Sequence, residues 1–547
     1  MNKERFPISP SVEFAMLGGL ISAYCAFQLR GLLLPGLFCD ESLDARVAQE
    51  FLQFGWRHWT TWPHSVSYHA ALQSYLLLPF MAAVPRPFEA VRIAELGFSL
   101  LVILSTYFCA RRLFNPSVAI LTLVFLLPNP NFVYLSRIGI SHGGVMAAFY
   151  LTVLLCLWKW AREGRDSSLQ IAAFLMGAGI SIRLWFFWFG AGMLLALPFL
   201  GRDAHGLLPK ALRPWSLAGM SLAFTAGAAT LVWKEVAILF FGLMDRSNEP
   251  FSAIIANFPV TYMGENNLDL PANLSNCLSL YFLSSLSGRV YDFFPEYPPA
   301  LLAGRLPFVA AAWHGALLLT GLACAIFLAQ ARIKRHALFI SSLLAGMLLC
   351  SLFTISSYRQ DRLFILFPLP QIVMAVGAWL LLERALSREP HRALASSILL
   401  LFMLSPVFQL WQLSHLEDSL LRTGGTGIYT DATVGIARWL EEHHIASPML
   451  CDDAGFHDTL WVLTKGRVSP LVCDLSRPGM PKTGGLDFKS NCLTGDNLYI
   501  FLPHSDNFKL FSDIARETIG KVLAPEHAFL TRDGRPAAVA YTLRIPQ

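Results

Sequence analysis

Charge is scarce in this chain. Lys, Arg, Asp and Glu make up 14% of its 547 residues and hydrophobic residues 54%, where a soluble globular domain carries about 25% charged residues. That balance excludes the string of soluble domains that length alone would suggest. The net charge of +5 therefore says little about nucleic acid, which is not an expected partner, because basic residues are expected on cytoplasmic loops. Internal repeats, low-complexity tracts, Cys-x-x-Cys pairs and the His/Cys spacing of a structural zinc site are all missing. Cys109, Cys156, Cys324 and Cys350 fall in apolar stretches, where they read as packing residues. Cys451, Cys473 and Cys492 fall in a more polar tail, and three cysteines allow at most one internal disulfide. The apolar run after the basic start "MNKER" shows no small-residue cleavage site, so it reads as a retained span.

Long hydrophobic runs dominate what remains. Crossing about 30 Å of hydrocarbon takes roughly 20 apolar residues, and eleven stretches qualify, approximately 13–37, 91–110, 117–134, 142–160, 168–183, 184–201, 214–241, 304–331, 336–357, 362–383 and 393–414. The turns that fall on one side carry Lys3 and Arg5, Arg111 and Arg112, Lys159, Arg162 and Arg165, Arg202, Lys210 and Arg213, Arg332, Lys334 and Arg335, then Arg384, Arg388 and Arg392. Basic turns mark the cytoplasmic side, so the N-terminus is expected inside and the C-terminus outside, in the periplasm of a cell with an inner membrane. Two outer loops of about 38–90 and 242–303 and a tail from about 415 to 547 share that exterior. The fold class expected is a polytopic α-helical membrane protein, with a transmembrane domain over 1–414 and a small α/β extracytoplasmic domain over 415–547. In the tail, "DATVGIARWLEEHH" and "FKLFSDIARETIGKVL" have helical periodicity, and "PMLCDD", "RVSPLVCDL" and "NLYIFLP" read as strands.

The stretch "LLLPGLFCDESLDARVAQEFLQFGW" leaves the first span and enters an amphipathic helix in which Leu43, Val47, Phe51 and Phe54 recur at helical spacing. Asp40 and Glu41 stand at the junction. Capping explains one acid at such a place, since Asp is a favoured N-cap and a first-turn carboxylate complements the helix dipole, together about 1 kcal/mol. It does not explain a cluster in which Asp40 and Asp44 share a face and repel. Short outer connections should also be poor in basic residues, yet Arg137, Arg183, Arg359 and Arg362 sit at span ends on that side. A single such Arg snorkels to lipid phosphate; four beside an acidic pair suggest a bound anion next to a base. Lys234 and Glu235, inside an apolar run, either pair with each other or line the same site. Asp452, Asp453, His457 and Asp458 of "LCDDAGFHDTLW" have the donor types for a cation or, more simply, form an Asp-rich turn. Asn273-Leu274-Ser275 matches a glycosylation sequon.

An Asp-Glu pair after the first span, followed by an amphipathic helix, resembles the first outer loop of the GT-C superfamily of polyprenyl-phosphate-sugar glycosyltransferases. That group includes protein O-mannosyltransferases and the lipid A aminoarabinose transferase. "FEAVRIAELGFSLLVILSTYFCARRLFN" is similar to the family's second span, "PNFVYLSRIGISHGGVMAAFY" to its Tyr-x-Ser-Arg segment and "DRLFILFPLPQIVMAVGAWLL" to its late Arg-aromatic, Pro-rich span. The chain departs from the pattern in three places. His142 stands where relatives commonly have Asp, "YHAALQSYLLLPF" keeps His69 but loses two prolines, and Arg183 stands where many relatives have Lys. The resemblance implies a transferase that moves a sugar from a polyprenyl-phosphate donor to an exterior lipid, glycan or protein acceptor. Asp40 would be the base with Glu41 beside it, Arg362, Arg183, Arg137 and Arg359 would hold the donor phosphate, and His69, His142 and Asp44 would contact substrate. No cofactor is specified, a divalent cation being allowed. Two other classes share the gross pattern, an O-antigen ligase or polymerase and a lipid or solute transporter. The acidic pair speaks against the first, and the lack of paired repeats against the second.

The basic turns predict that a reporter fused after Gln547 is exterior and one inserted near Arg335 is cytoplasmic. Protease or alkylation accessibility of the two reporters in intact cells checks the orientation, and a cytoplasmic C-terminus overturns it.

Overall fold

The computed structural model describes residues 9–55, 72–139, 143–200, 213–232, 269–278, 306–353, 360–387, 391–425, 429–451, 456–472, 497–502 and 506–544. Local signals set the helix starts. α1 (Pro10–Arg30) begins on a Ser9 cap and a first-turn proline, and its far end carries the chain into α2 (Cys39–Phe54). α3 (Leu72–Ala83) is a short apolar helix inside the stretch expected to be an outer loop. α4 (Pro87–Leu113) follows, and then the sequence "LLPNPNF" breaks what hydropathy reads as one span. α5 (Pro116–Leu126) and α6 (Pro130–Ile138) meet at 75°. Proline cannot extend α5, while Asn129 accepts from the Phe132 amide (3.2 Å) and Pro130 restarts the helix. Gly139, at φ +58°, ends α6 in the left-handed region.

The bundle continues with α7 (Gly143–Glu163), α8 (Asp166–Ile182), α9 (Phe187–Ala196) after a short 3-10 turn, α10 (Pro214–Gly227), α11 (Leu270–Leu278), α12 (Leu306–Phe327) and α13 (Ala331–Ser351). A 3-10 helix (Gln360–Leu366) leads into α14 (Leu369–Ala385), and α15 (Arg392–Thr423) runs nine residues past the expected span end at 414. Seven helices among the described residues are long and apolar enough to cross a membrane, eight with the bent α5–α6 pair as one span. The other three of the eleven hydropathic stretches hold α8, α9 and α10, which are shorter. The α14 stretch is central, 89% buried, whereas those of α1 and α15 are 22% and 28% buried and lie outermost. Helices approach closely where Gly321 of α12 meets Gly377 of α14; a side chain on either would strike the opposing backbone.

Beyond α15 come α16 (Ala432–Glu442), β1 (Met449–Leu450), α17 (Phe456–Leu463), β2 (Leu471–Val472), β3 (Leu498–Phe501), α18 (Asp506–Ile519), β4 (Val522–Leu530) and β5 (Pro536–Arg544). The sheet order is β2-β1-β3-β5-β4, with β1 parallel to β2 and β3, and β5 antiparallel to β3 and β4. Side-chain alternation along β3 decides the layers. Leu498 and Ile500 pack with Ile436 and Leu440 of α16 and Leu460 of α17, while Tyr499 and Phe501 pack with Phe511 and Ala515 of α18. The β4–β5 hairpin, built on exposed and half-apolar strands, is absent from the periodicity reading above.

Candidate functional site

The organising group at the α2 end of the bundle is Arg92, which hydropathy hides inside a span. Its guanidinium is wholly buried, and Nη1 donates to Glu41 Oε1 (3.0 Å) and to the Arg137 carbonyl (2.5 Å). Nη2 donates to the carbonyls of Pro35 (2.9 Å) and Gly36 (3.1 Å). One side chain on α4 therefore joins the segment that leaves α1, the first turn of α2 and the end of α6. A buried charge needs this degree of pairing to be tolerated.

The capping account of Asp40 is corrected by the backbone. The N-cap of α2 is Phe38, with no side-chain cap hydrogen bond, so Asp40 lies within the first turn. Glu41 is buried against Arg92. Asp44 is buried and accepts from Ser74 Oγ of α3 (2.8 Å). Beside them, Glu95 of α4 accepts from Gln73 Nε2 of α3 (3.2 Å), and its carboxyl packs on Gly139, where a Cβ would collide with it. Gln73, Ser74, Arg92 and Glu95 are absent from the sequence reading. The signal that could have found them is an Arg and a Glu three apart in the first half of a span, since intramembrane charges face the protein interior.

Arg137 does not fit the phosphate-binding expectation. Its Nε donates to Gln28 Oε1 (2.8 Å), Nη1 to Glu417 Oε2 (3.0 Å) and Leu34 O (3.4 Å), and Nη2 to Phe27 O (3.4 Å). Tyr134 also donates to Glu417 Oε2 (2.7 Å), and the guanidinium lies over the Phe27 and Tyr134 rings. Every nitrogen has a protein acceptor, so the side chain ties α1, α6 and α15 together instead of opening toward a ligand. Arg183 is buried in the extended residue between α8 and α9, over the Trp185 ring at 5.3 Å.

Topology gathers the remaining candidates. α7 starts at Gly143 and α8 packs alongside it in the reverse direction, so Arg183 returns to the end of the bundle where α7 begins. Phe364 of the 3-10 helix stacks on Phe132 of α6 (5.9 Å between centroids) and contacts Gly143, and Tyr150 donates to the Phe367 carbonyl (2.6 Å). The turn that carries Arg362 is thereby held beside the α6–α7 junction. The side chains of Asp40 and Arg362, and all of His69, His142, Arg359, Lys234, Glu235, Asp452, Asp453, Cys473 and Cys492, lie outside the described residues. Among those described, no three His, Cys, Asp or Glu groups converge on a metal-sized site, and Cys451 is buried beside β3. Asp458 pairs with Arg46 (2.8 Å) and accepts from His457 (3.2 Å). Burial alone would raise its carboxyl, but the bonds from His457 and Arg46 outweigh that and hold it below the usual carboxylate range. Its contribution to stability is thus complete above the unfolded-state value near ~4 and is lost only as pH falls through the lower folded value. Asn273 of the sequon is buried and donates to Leu352 O (2.8 Å), so its amide is already engaged.

Residues 69–233 match the family model for dolichyl-phosphate-mannose-protein mannosyltransferase. No curated protein matches the chain in sequence. Among solved structures the chain is similar to ArnT from Cupriavidus metallidurans in the apo state, with TM-score 0.58 and 14% identity over 96% of this chain and 98% of that one. It is similar also to ArnT from the same organism bound to undecaprenyl phosphate, with TM-score 0.54 and 12% identity over the same shares. The fold is that of the GT-C glycosyltransferases, in a multi-pass membrane protein.

Arg92→Met should strand the Glu41 carboxylate in a buried site and cost about 3–5 kcal/mol, whereas adding Glu41→Gln to it should restore part of that loss. Melting of the detergent-solubilised variants measures both, and equal stability of the single and double variants would show that the pair is not what holds this corner.

Proposed function

We propose that the chain is a membrane glycosyltransferase that moves a sugar from a polyprenyl-phosphate donor to an acceptor on the exterior face, with Asp40 as general base. Carrying this reading is the convergence, at one end of a GT-C fold, of the first turn of α2 with the arginine-bearing breaks at 183 and 360–366. Of the four acids on α2, Glu41 is enclosed by Arg92, Asp44 by Ser74, and Glu50 is paired with Arg46. An enclosed carboxylate cannot meet an acceptor hydroxyl at about 3 Å, so the base falls to Asp40.

The chemistry suits so small a set. The acceptor oxygen attacks the anomeric carbon and passes its proton to the Asp40 carboxylate. The bond from that carbon to the phosphate oxygen breaks, and polyprenyl phosphate departs with the electron pair. Phosphate is a good leaving group without protonation, so fixed cations suffice. Arg is suited by its permanent charge and forked donors. We assign that task to Arg362, Arg183 and Arg359, with Arg137 as their structural support. Glu41 acts by fixing the turn beside Asp40, and His69, His142 and Asp44 shape the substrate side.

Because Phe38 is the N-cap, Asp40→Asn removes no cap and should alter stability by no more than the first-turn dipole term, about 0.3–1 kcal/mol. Transfer should fall by roughly a hundredfold to ten-thousandfold. Single-turnover transfer beside the melting temperature separates the two, and a wild-type rate in the Asn variant overturns Asp40 as the base.

Arg362→Lys keeps the charge and loses the bidentate fork, so use of the donor should weaken by about tenfold or more with insertion unchanged. Titration with undecaprenyl phosphate measures this, and wild-type affinity with Lys shows that the fork is not used.

A further inference from the structure

The first turn of α2 has no side-chain cap hydrogen bond at its N-cap. Its N-cap side chain is Phe38, which accepts nothing from the helix amides. Beside the Arg92–Glu41 pair, further groups that hold this turn come from the far end of the chain. The Phe38 ring stacks on Tyr429 (4.7 Å, 21°), and the Gly36 amide donates to the Tyr429 carbonyl (2.8 Å). From α17, the Thr459 hydroxyl lies 3.1 Å from Ser42 Oγ and 3.4 Å from the Leu37 carbonyl, one residue on either side of the stretch Phe38–Glu41. One turn along, Arg46 pairs with Asp458 (2.8 Å) and lies over the Trp461 ring (5.0 Å). Trp461 and Val462 are buried against Leu37, Ala45, Phe88 and Val91. The opposite side of α17 anchors in the sheet through Leu460. α17 is thus a bracket, with one side in the C-terminal sheet and the other on the helix that carries the base.

From this geometry we propose that Thr459 is a positioning residue. The C-terminal domain, through Thr459 and the Arg46–Asp458 pair, sets the place of the first turn of α2 and hence of Asp40 relative to the bound donor. This rests on the assignment of Asp40 as base. The hydroxyl supplies to Leu37 and Ser42 the tether that a Ser, Thr, Asp or Asn cap would have supplied locally, so reach of the base becomes a property of domain docking. A loosened turn still presents the same carboxylate, but displaced, and displacement by about 1 Å costs up to about a hundredfold in rate.

The test uses the full chain in detergent, with polyprenyl-phosphate sugars extracted from the source membranes as donor and undecaprenyl phosphate as the binding probe. Thr459→Val, which keeps the shape and loses the hydroxyl, should lower kcat by about tenfold while KM and undecaprenyl phosphate affinity stay within about twofold. Thr459→Ser should return kcat to within about twofold of wild type, and Thr459→Val should add no further loss to Asp40→Asn. Where the Val variant melts early, Asp458→Asn serves in its place with the same expected split. A wild-type kcat in the folded Val or Asn variant, or a Ser variant as slow as Val, overturns the proposal. A slow Asp40→Asn beside a fast Thr459→Val sinks the positioning role alone, whereas a fast Asp40→Asn sinks the base assignment beneath it.

Discussion

A single buried guanidinium holds the site end of this protein in one geometry. Arg92 meets a carboxylate on α2 and carbonyls from the α1–α2 segment and from α6. Its planar fork permits few arrangements of those acceptors. If the segment shifts, the carbonyls of Pro35 and Gly36 lose their donor in a buried region, at a cost larger than the bonds themselves contribute. The same group neutralises Glu41, so the acid beside the proposed base is part of the frame. A second buried pair, Arg137 with Glu417, repeats the device for α1, α6 and α15.

Polar groups are distributed unequally between the ends of the bundle. At the α2 end they are buried and paired, with Gln73 and Ser74 of α3 reaching toward Glu95 and Asp44. At the other end Arg111 reaches Glu13 from a partly exposed position, and Arg112 and Arg162 both lie over the Trp158 ring. Snorkelling and cation–π contacts suit the boundary with lipid headgroups. A dry, fixed set of dipoles suits chemistry in which charge moves onto a departing phosphate, because no solvent has to reorganise as it does so.

The apolar helix α3 and the bracket α17 make the first outer loop a packed layer. α2 packs against α3, α4 and α17. The outer loop expected over about 38–90 is therefore built into the core where it is described, and its described acids face protein more than solvent. The fold is shared with ArnT over nearly the whole chain at 14% identity, a sign that architecture of this kind depends on the pattern of apolar lengths and breaks more than on particular side chains.

Much of that pattern was legible in the amino acids. Apolar runs located the helices, and the alternation in "NLYIFLP" and the 3.6-residue period in "DATVGIARWLEEHH" marked β3 and α16, because each signal is local. The bend between α5 and α6 was present in "PNP" but was outvoted by hydropathy, which averages over a window and cannot register a corner. The acid cluster was visible too, although not which acid is enclosed. Tertiary structure alone decided that Glu41 meets Arg92 across 51 residues, that Arg137 meets Glu417 across 280, and that Arg46 meets Asp458 across 412. An ion pair is a matter of distance in space, and no periodicity along the chain encodes which distant charge a buried carboxylate must find to offset its desolvation.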